Sequence, residues 1–501
     1  MPLNVTAAAP YASPVDRLSR WVLVVAVVVL AVLAATSTRY GFHRDELYFI
    51  VAGSHPAFGY PDQPPLVPLL AWAMHALSPE SPFLLRIPSA LASAATTILA
   101  ALVARELGGR RRAQVIAAAC TASSGVALAV GHFVTTTTFD LLSTTAFLWL
   151  LIRAVVRRNG PSMLAAGVVV GVGAEAKPQV AFVALVAVAT LVALGPRGVL
   201  RSWWTAGGIA AAVVLAAPYV IWQQAHGWPQ LTVARNIAGS AEGGRVGFIP
   251  FQLVMVSPVL VPVWIAGLAA PFRRQALRAV RFVPATYAVL AVAYLVGNGK
   301  AYYLASLYPV LLGLGALPTA DWTARARGRL SMLVTAIALS AAVSALIALP
   351  LLPERSLQGS IAFAVNPDLG ETVGWPRFID TVSGAWKAIP AAERRRTAIF
   401  TGNYGEAGAI DVLGRSHGLP RAYSGHNGFS EWGQPPPGAD HALVIGFDGP
   451  ADAGAEFSAC HALARVNDGV GLHNDEQGLP VLFCRPAAPW SALWPRLTHF
   501  N

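Results

Sequence analysis

The residues best equipped for chemistry in this 501-residue chain stand between positions 40 and 68. His43, Arg44, Asp45 and Glu46 lie side by side there, and Asp62 follows in a loop punctuated by Pro56, Pro61, Pro64 and Pro65. Adjacent acids at the end of a long apolar run are costly to desolvate, so they stay wet and tend to be functional. A carboxylate so placed can take the proton of an attacking hydroxyl. Further on, Asp140 follows the polar run 135–138, and Lys177 and Lys300 are the only lysines before Lys387. Tyr302 and Tyr303 stand just past Lys300. A lysine can hold an anionic leaving group and neutralise the charge that develops on it. Neighbouring aromatics can pack against a sugar or a lipid chain. Together these residues suit group transfer from an anionic lipid donor.

Each has a plainer reading. Asp140 can cap a helix. Lys177 and Lys300 can snorkel from span ends, and the tyrosines can belong to an interfacial aromatic belt. Glu175 reads as a local partner of Lys177. His43 and His55 could join the acids around a metal, but two histidines twelve apart in a loop are a weak signal. No zinc spacing, phosphate-cradling glycine loop or Ser-His-Asp order stands out.

The elements that must position these groups are membrane spans. The chain is 55% hydrophobic and 12% charged, whereas soluble domains carry about 25% charged residues. Repeated charge-free runs make it a polytopic α-helical membrane protein. We read eleven spans, at about 21–38, 85–104, 114–132, 139–152, 162–175, 179–195, 204–222, 249–270, 282–297, 302–318 and 330–350. No short leader with a small-residue cleavage site precedes them, so 21–38 reads as a retained span.

With the N-terminus placed inside, 18 basic residues fall in inner loops and 7 in outer ones, which supports a cytoplasmic N-terminus and an odd span count. Asp45, Glu46, Asp62, Glu80, Asp140, Glu175 and Glu242 then fall outside, and Asp16, Glu106 and Asp321 inside. An outward-facing polar cavity explains that bias. The net charge of +11 belongs to the membrane part: 25 basic against 10 acidic residues up to Arg329, 11 against 15 from Glu354 onward. Nucleic-acid binding is therefore a poor reading of the basic balance.

The first outer loop, 39–84, holds an apolar and aromatic stretch at 64–77 too short to span, read as an interfacial helix. The loop at 223–248, with Gln223, Gln224, His226, Arg235, Asn236 and glycines 243 and 244, reads as a mobile cover over a site. Residues 1–353 thus form the membrane domain. Residues 354–501 read as a small α/β domain outside the membrane, with strands near 397–401, 442–447 and 481–484. Cys120 reads as core. Cys460 and Cys484 could pair in an oxidising compartment.

The pattern resembles the integral-membrane glycosyltransferases of the C fold. More closely, it resembles the branch of protein O-mannosyltransferases and lipid A aminoarabinose transferases. The resemblance rests on Asp45, Glu46, Tyr48 and the segment Gly59-Tyr60-Pro61-Asp62-Gln63-Pro64-Pro65, on Arg86-Ile87-Pro88, Asp140 and Lys177, and on Lys300, Tyr303 and Pro309. It covers about the first 350 residues.

The resemblance implies an inverting glycosyltransferase. It would move a sugar from a polyprenyl-phosphate donor to a protein, lipid or envelope-glycan acceptor at the outer face of the bilayer. By the same token Asp45 is the base and Glu46 its partner. Asp140 shapes a pocket, and Arg86, Lys177 and Lys300 are candidates for the lipid phosphate. His43, Arg44, Tyr48, Tyr60 and Asp62 complete the first loop. Asp140 follows Thr-Phe rather than another acid, so the two-acid metal motif of some C-fold enzymes is absent. No cofactor is assigned as obligatory, and a divalent metal stays open. The Ala-, Arg- and Gly-rich composition points to a bacterial plasma membrane. A transporter or flippase of a lipid-linked or anionic solute is the alternative. Its expected inverted repeats and mid-span charges are not evident. A tail-centred scaffold is a third reading, for which eleven spans are far more than an anchor needs.

Overall fold

The computed structural model describes residues 17–79, 81–239 and 245–501. Asp16, Glu80, Glu242, Gly243 and Gly244 lie outside them. The chain opens with α1 (Arg20–Thr36), α2 (Arg44–Ser54), α3 (Leu66–Leu77) and α4 (Pro82–Glu106). Next come α5 (Arg111–Ala122), α6 (Gly125–His132), α7 (Thr136–Arg157), α8 (Pro161–Ala174), α9 (Gln179–Leu194) and α10 (Trp203–Ala225). The membrane part closes with α11 (Pro229–Gly239), α12 (Arg245–Val256), α13 (Val261–Arg273), α14 (Phe282–Val296), α15 (Tyr308–Ala324) and α16 (Arg327–Ala348).

All eleven expected segments are helical, and the short 64–77 stretch forms α3. The count of crossings is a separate matter. Among the described residues, five helices are long and apolar enough to cross a bilayer alone, and α1, α8, α9 and α14 are shorter apolar helices. Two expected spans are broken: α5 and α6 turn by 57°, and α12 and the segment from Pro258 by 79°. Ser257 at the second break has φ 82°, and Pro258 offers no N–H to continue the helix.

Burial sorts the helices. The apolar windows of α4 and α7 are 61% and 67% buried, whereas those of α10 and α16 are 17% buried, so the latter show their valines and leucines outward. Close approach replaces bulk where α13 crosses α15. A Cβ on Gly267 would sit 2.0 Å from the Leu311 carbonyl oxygen, and one on Gly315 would sit 1.9 Å from that of Val263. Small residues let helix backbones touch in this way.

The tail contains α17 (Ile361–Val365), α18 (Trp375–Ala388), α19 (Ala391–Arg394), β1 (Thr397–Thr401), α20 (Tyr404–Leu413), β2 (Ala422–Ser424), β3 (His441–Ile445), β4 (Phe457–Arg465), β5 (Pro480–Pro486) and α21 (Trp490–Leu497). Its sheet runs β2-β1-β3-β5-β4. β1 is parallel to β2 and β3, and β5 is antiparallel to β3 and β4. The three expected strands are present. β2, three residues long, and β4, an edge strand with a mostly exposed burial pattern, gave no alternating apolar signal. Cys460 and Cys484 are disulfide-bonded between β4 and β5, and Cys120 is a buried free thiol.

The helix α2 joins the two parts. Eight of its eleven residues are buried. Leu47, Tyr48 and Ile50 share one apolar cluster with Phe378, Ile410 and Leu443 of the tail.

Candidate functional site

The sequence HRDE builds its own helix start. His43 is the N-cap of α2: its Nδ1 accepts from the Asp45 N–H at 3.1 Å, and Glu46 Oε2 accepts from the His43 N–H at 2.8 Å. This reciprocal capping turns the two neighbouring acids in different directions.

Glu46 turns into the protein and is fully buried. Arg86 Nε donates to its Oε1 at 2.9 Å and Arg86 Nη2 to its Oε2 at 2.7 Å, and the Val134 N–H donates to Oε1 at 2.9 Å. Arg86 also donates to the carbonyls of Ser37 and Gly41. Glu46 accepts on both oxygens, Arg86 uses four of its five N–H donors, and neither lines a cavity described below. The pair pins the first loop to α4.

Asp45 turns the other way. Its side chain is 30% exposed, and Oδ1 accepts from the Tyr404 hydroxyl of the tail at 2.9 Å. Two cavities meet beside it. One, of about 420 Å³, runs between α6, α12 and α16 and is lined by Val126, Phe133, Phe251, Met255 and Ile347. The other, of about 400 Å³, is more polar, with Asp62, Gln63, Lys177, Gln230, Tyr303 and Asn427 in its wall. Asp45, Lys300, Tyr302 and Tyr404 line both.

Lys177, between α8 and α9, donates to Thr137 Oγ1 at 3.0 Å, with Nζ 5.2 and 5.4 Å from the ring centres of Tyr302 and Tyr303. Cations favour such ring faces. Burial pushes its amine down to about 8; Asp140 opposes that shift and Lys300 adds to it. Asp140 is not the helix cap, because Thr135 holds that position. It lies within α7, 1% exposed, accepting from Thr144 Oγ1 at 3.3 Å. It lines neither cavity itself and acts as a counter-charge on Lys177, which does line the polar one. Glu175 is not paired with Lys177: its Oε1 is buried without a partner.

The rest of the first loop divides the same way. Asp62 accepts from the Tyr48 hydroxyl at 2.7 Å, and that hydroxyl accepts from the Gly428 N–H at 3.0 Å. Burial raises the Asp62 carboxyl to about 7, partly opposed by the Tyr48 hydrogen bond. Tyr60 is a strut, donating to the Ala52 carbonyl at 2.7 Å, and lines neither cavity. Arg44 lines the apolar cavity and pairs with tail residues Asp475 at 2.7 Å and Glu371 at 3.4 Å. His43 stacks on Phe133 at 4.4 Å and His55 on Trp432 at 4.5 Å. They flank opposite ends of α2, about 18 Å apart at 1.5 Å per residue, so they cannot share a metal. Among the described residues no three His, Cys, Asp or Glu side chains gather as metal ligands.

Sequence reasoning assigned no role to three residues of the site. Tyr404 and Asn427 come from the tail, and no local signal ties them to Asp45. Gln63 was quoted only as part of its motif. It is 3% exposed, and neither atom of its amide has a partner. Of the expected cover at 223–248, α11 contributes Gln230, Val233 and Ile237 to the polar cavity.

Residues 62–222 match the family model described as dolichyl-phosphate-mannose-protein mannosyltransferase. No curated protein matches the chain in sequence. In structure it is similar to ArnT from Cupriavidus metallidurans, solved bound to undecaprenyl phosphate, with a TM-score of 0.61 at 14% identity over 93% of this chain and 98% of that one. The apo state of the same protein gives a TM-score of 0.60. The arabinofuranosyltransferase AftD from Mycobacteria gives 0.56 at 16% identity, over 95% of this chain and 40% of that longer one. The fold is the C fold of integral-membrane glycosyltransferases, the one the resemblance implied, with many apolar helices and a small C-terminal sheet domain.

Proposed function

We propose that the chain is an inverting glycosyltransferase that moves a sugar from a polyprenyl-phosphate donor to an acceptor hydroxyl, with Asp45 as general base. The observation that carries this reading is the meeting of an apolar and a polar cavity at Asp45, Lys300, Tyr302 and Tyr404. A prenyl chain fits the apolar cavity among α6, α12 and α16. Its phosphate then reaches Lys300, with Lys177 nearby. The sugar and the acceptor occupy the polar cavity, where the unpartnered Gln63 amide offers both a donor and an acceptor to hydroxyls.

In the transfer step the acceptor oxygen attacks the anomeric carbon from the face opposite the phosphate. The carbon–oxygen bond to the phosphate breaks, and its electron pair leaves with the prenyl phosphate. The acceptor proton passes to Asp45. The carboxylate keeps one hydrogen bond, from Tyr404, which orients it while leaving an oxygen for the proton. Lys300 and Lys177 neutralise the charge growing on the phosphate, a role worth several kcal/mol in a water-poor site. Asp140 keeps Lys177 cationic. No step is assigned to a metal.

The same reading places the protein in a bacterial plasma membrane, N-terminus cytoplasmic and tail outside. The charge split across the loops and the disulfide at Cys460 and Cys484 support it. A panel of radiolabelled polyprenyl-phosphate sugars, offered to membranes holding the wild type or Asp45→Asn, tests the reaction. Transfer by the wild type and none by the variant is expected. No transfer from any donor by folded wild type would move the reading to transport.

A further inference from the structure

A pocket apart from the two cavities lies where the ends of α1 and α16 meet the tail. It encloses about 400 Å³, and its polar wall is Arg39, Arg355 and Arg377 with Glu354 and Asp468. Arg39 follows α1, Arg355 follows α16, and Arg377 stands in the first turn of α18. Three separate parts of the chain therefore bring one guanidinium each to one place.

The charge there is not neutralised from within. Asp468 accepts from the backbone N–H groups of Val470, Gly471 and Leu472, all at 2.8 Å, so its carboxylate is already engaged. With Glu354 and Asp468 against three guanidiniums, the pocket keeps a net positive charge. Basic residues are depleted at the non-cytoplasmic ends of spans, so three arginines at this face call for a ligand.

The pocket also sits at the bilayer boundary. Val29 and Leu33 of α1 pack with Ala348 and Leu349 at the end of α16, and the Tyr40 hydroxyl donates to the Leu352 carbonyl at 2.7 Å. Below the pocket, Val28 and Val32 are 55% and 38% exposed on α1, and Leu339 and Val343 are 50% and 40% exposed on α16. An apolar surface thus leads up both helices to a cationic rim.

We propose that this pocket binds the phosphodiester headgroup of an anionic phospholipid, with its acyl chains along α1 and α16. Arginine is the residue of choice because its planar fork matches phosphate oxygens two at a time. Since the three arginines lie just after α1, just after α16 and in α18 of the tail, a bound headgroup ties the tail to the membrane part. The site is independent of the transfer reaction.

The test uses the purified full-length protein in detergent. It is titrated separately with phosphatidylglycerol, phosphatidylcholine and inorganic phosphate, followed by retained lipid in native mass spectrometry and by the melting temperature. The wild type is expected to retain phosphatidylglycerol and gain thermal stability, with no response to phosphatidylcholine or inorganic phosphate. The triple variant Arg39→Gln, Arg355→Gln, Arg377→Gln is expected to bind phosphatidylglycerol about tenfold more weakly, a loss of charge-assisted contacts. If the triple variant is not folded, Arg355→Gln alone replaces it, with about threefold weaker binding expected. Unchanged binding in the variants, or equal retention of both phospholipids, would overturn the site. An equal response to inorganic phosphate would overturn its assignment to a lipid.

Discussion

Arg86 and Lys177 are cations near helix ends, the first buried and the second half-buried at a cavity wall, and they are held in opposite ways. Arg86 is matched by the Glu46 carboxylate and two backbone carbonyls. Lys177 has one neutral hydroxyl and two tyrosine faces. The neighbouring acids follow the same division: Glu46 is filled on both oxygens, whereas Asp45 receives one phenol. Saturated polar groups hold a structure together, and groups with hydrogen-bonding capacity to spare are the ones that can meet a ligand. That contrast separates the first-loop knot from the chamber beside it.

The comparison breaks most visibly at the knot. Arg86→Ala leaves the Glu46 carboxylate buried without its counter-ion, a cost of about 3–5 kcal/mol. The variant is expected to lose its cooperative melt and its monodisperse elution in detergent; a wild-type melting curve would show that the pair is dispensable. Asp45→Asn, one residue from that pair, is expected to melt like the wild type while turnover falls by at least about 10²- to 10⁴-fold, the range for losing a general base, and so below detection in the transfer assay.

Lys177→Gln sharpens the contrast between the two cations. It should leave folding intact and weaken donor use by about 10- to 100-fold, as expected for loss of a charged hydrogen-bonding group. Because burial brings the Lys177 amine down to about 8, donor KM in the wild type should rise as pH climbs through that value, and Lys177→Arg should flatten the rise. A KM indifferent to pH between about 7 and 9 would remove Lys177 from the phosphate site.

The smallest effect concerns the tail that covers α2. Burial raises the Glu406 carboxyl to about 8 from its ordinary 4.5, against hydrogen bonds from the Asn403 and Gly402 backbone. The folded state therefore holds this proton more tightly than the unfolded chain. Its contribution to stability is fully present below about 4.5 and is lost as pH rises to about 8. Glu406→Gln should shallow the fall in melting temperature across that window. An unchanged slope would assign the pH dependence elsewhere.

How much of this was legible follows from what each signal encodes. Hydropathy found all eleven helical segments because it reports where apolar residues lie. It could not report that the chain turns at Ser257, since direction is set by one φ and one proline. The His43–Glu46 run announced a site by its density of charge. Which acid faces the cavity depended on the capping of α2 and on Arg86, forty residues away. The place of Tyr404 and Asn427 beside the first loop could not be read, because a tail packs on a first loop through shape and contact rather than through any local pattern. The Arg86–Glu46 pairing was hidden for the same reason: Glu46 is adjacent to Asp45 in sequence and opposite to it in space.

The most direct measurement is equilibrium binding of a polyprenyl phosphate to the purified wild type, Asp45→Asn and Lys300→Gln, alongside turnover of each. The account predicts that Asp45→Asn binds the lipid phosphate like the wild type and transfers no sugar, while Lys300→Gln binds it at least tenfold more weakly. Transfer by Asp45→Asn, or wild-type binding by Lys300→Gln, would contradict the meeting of base and phosphate site on which the proposal stands.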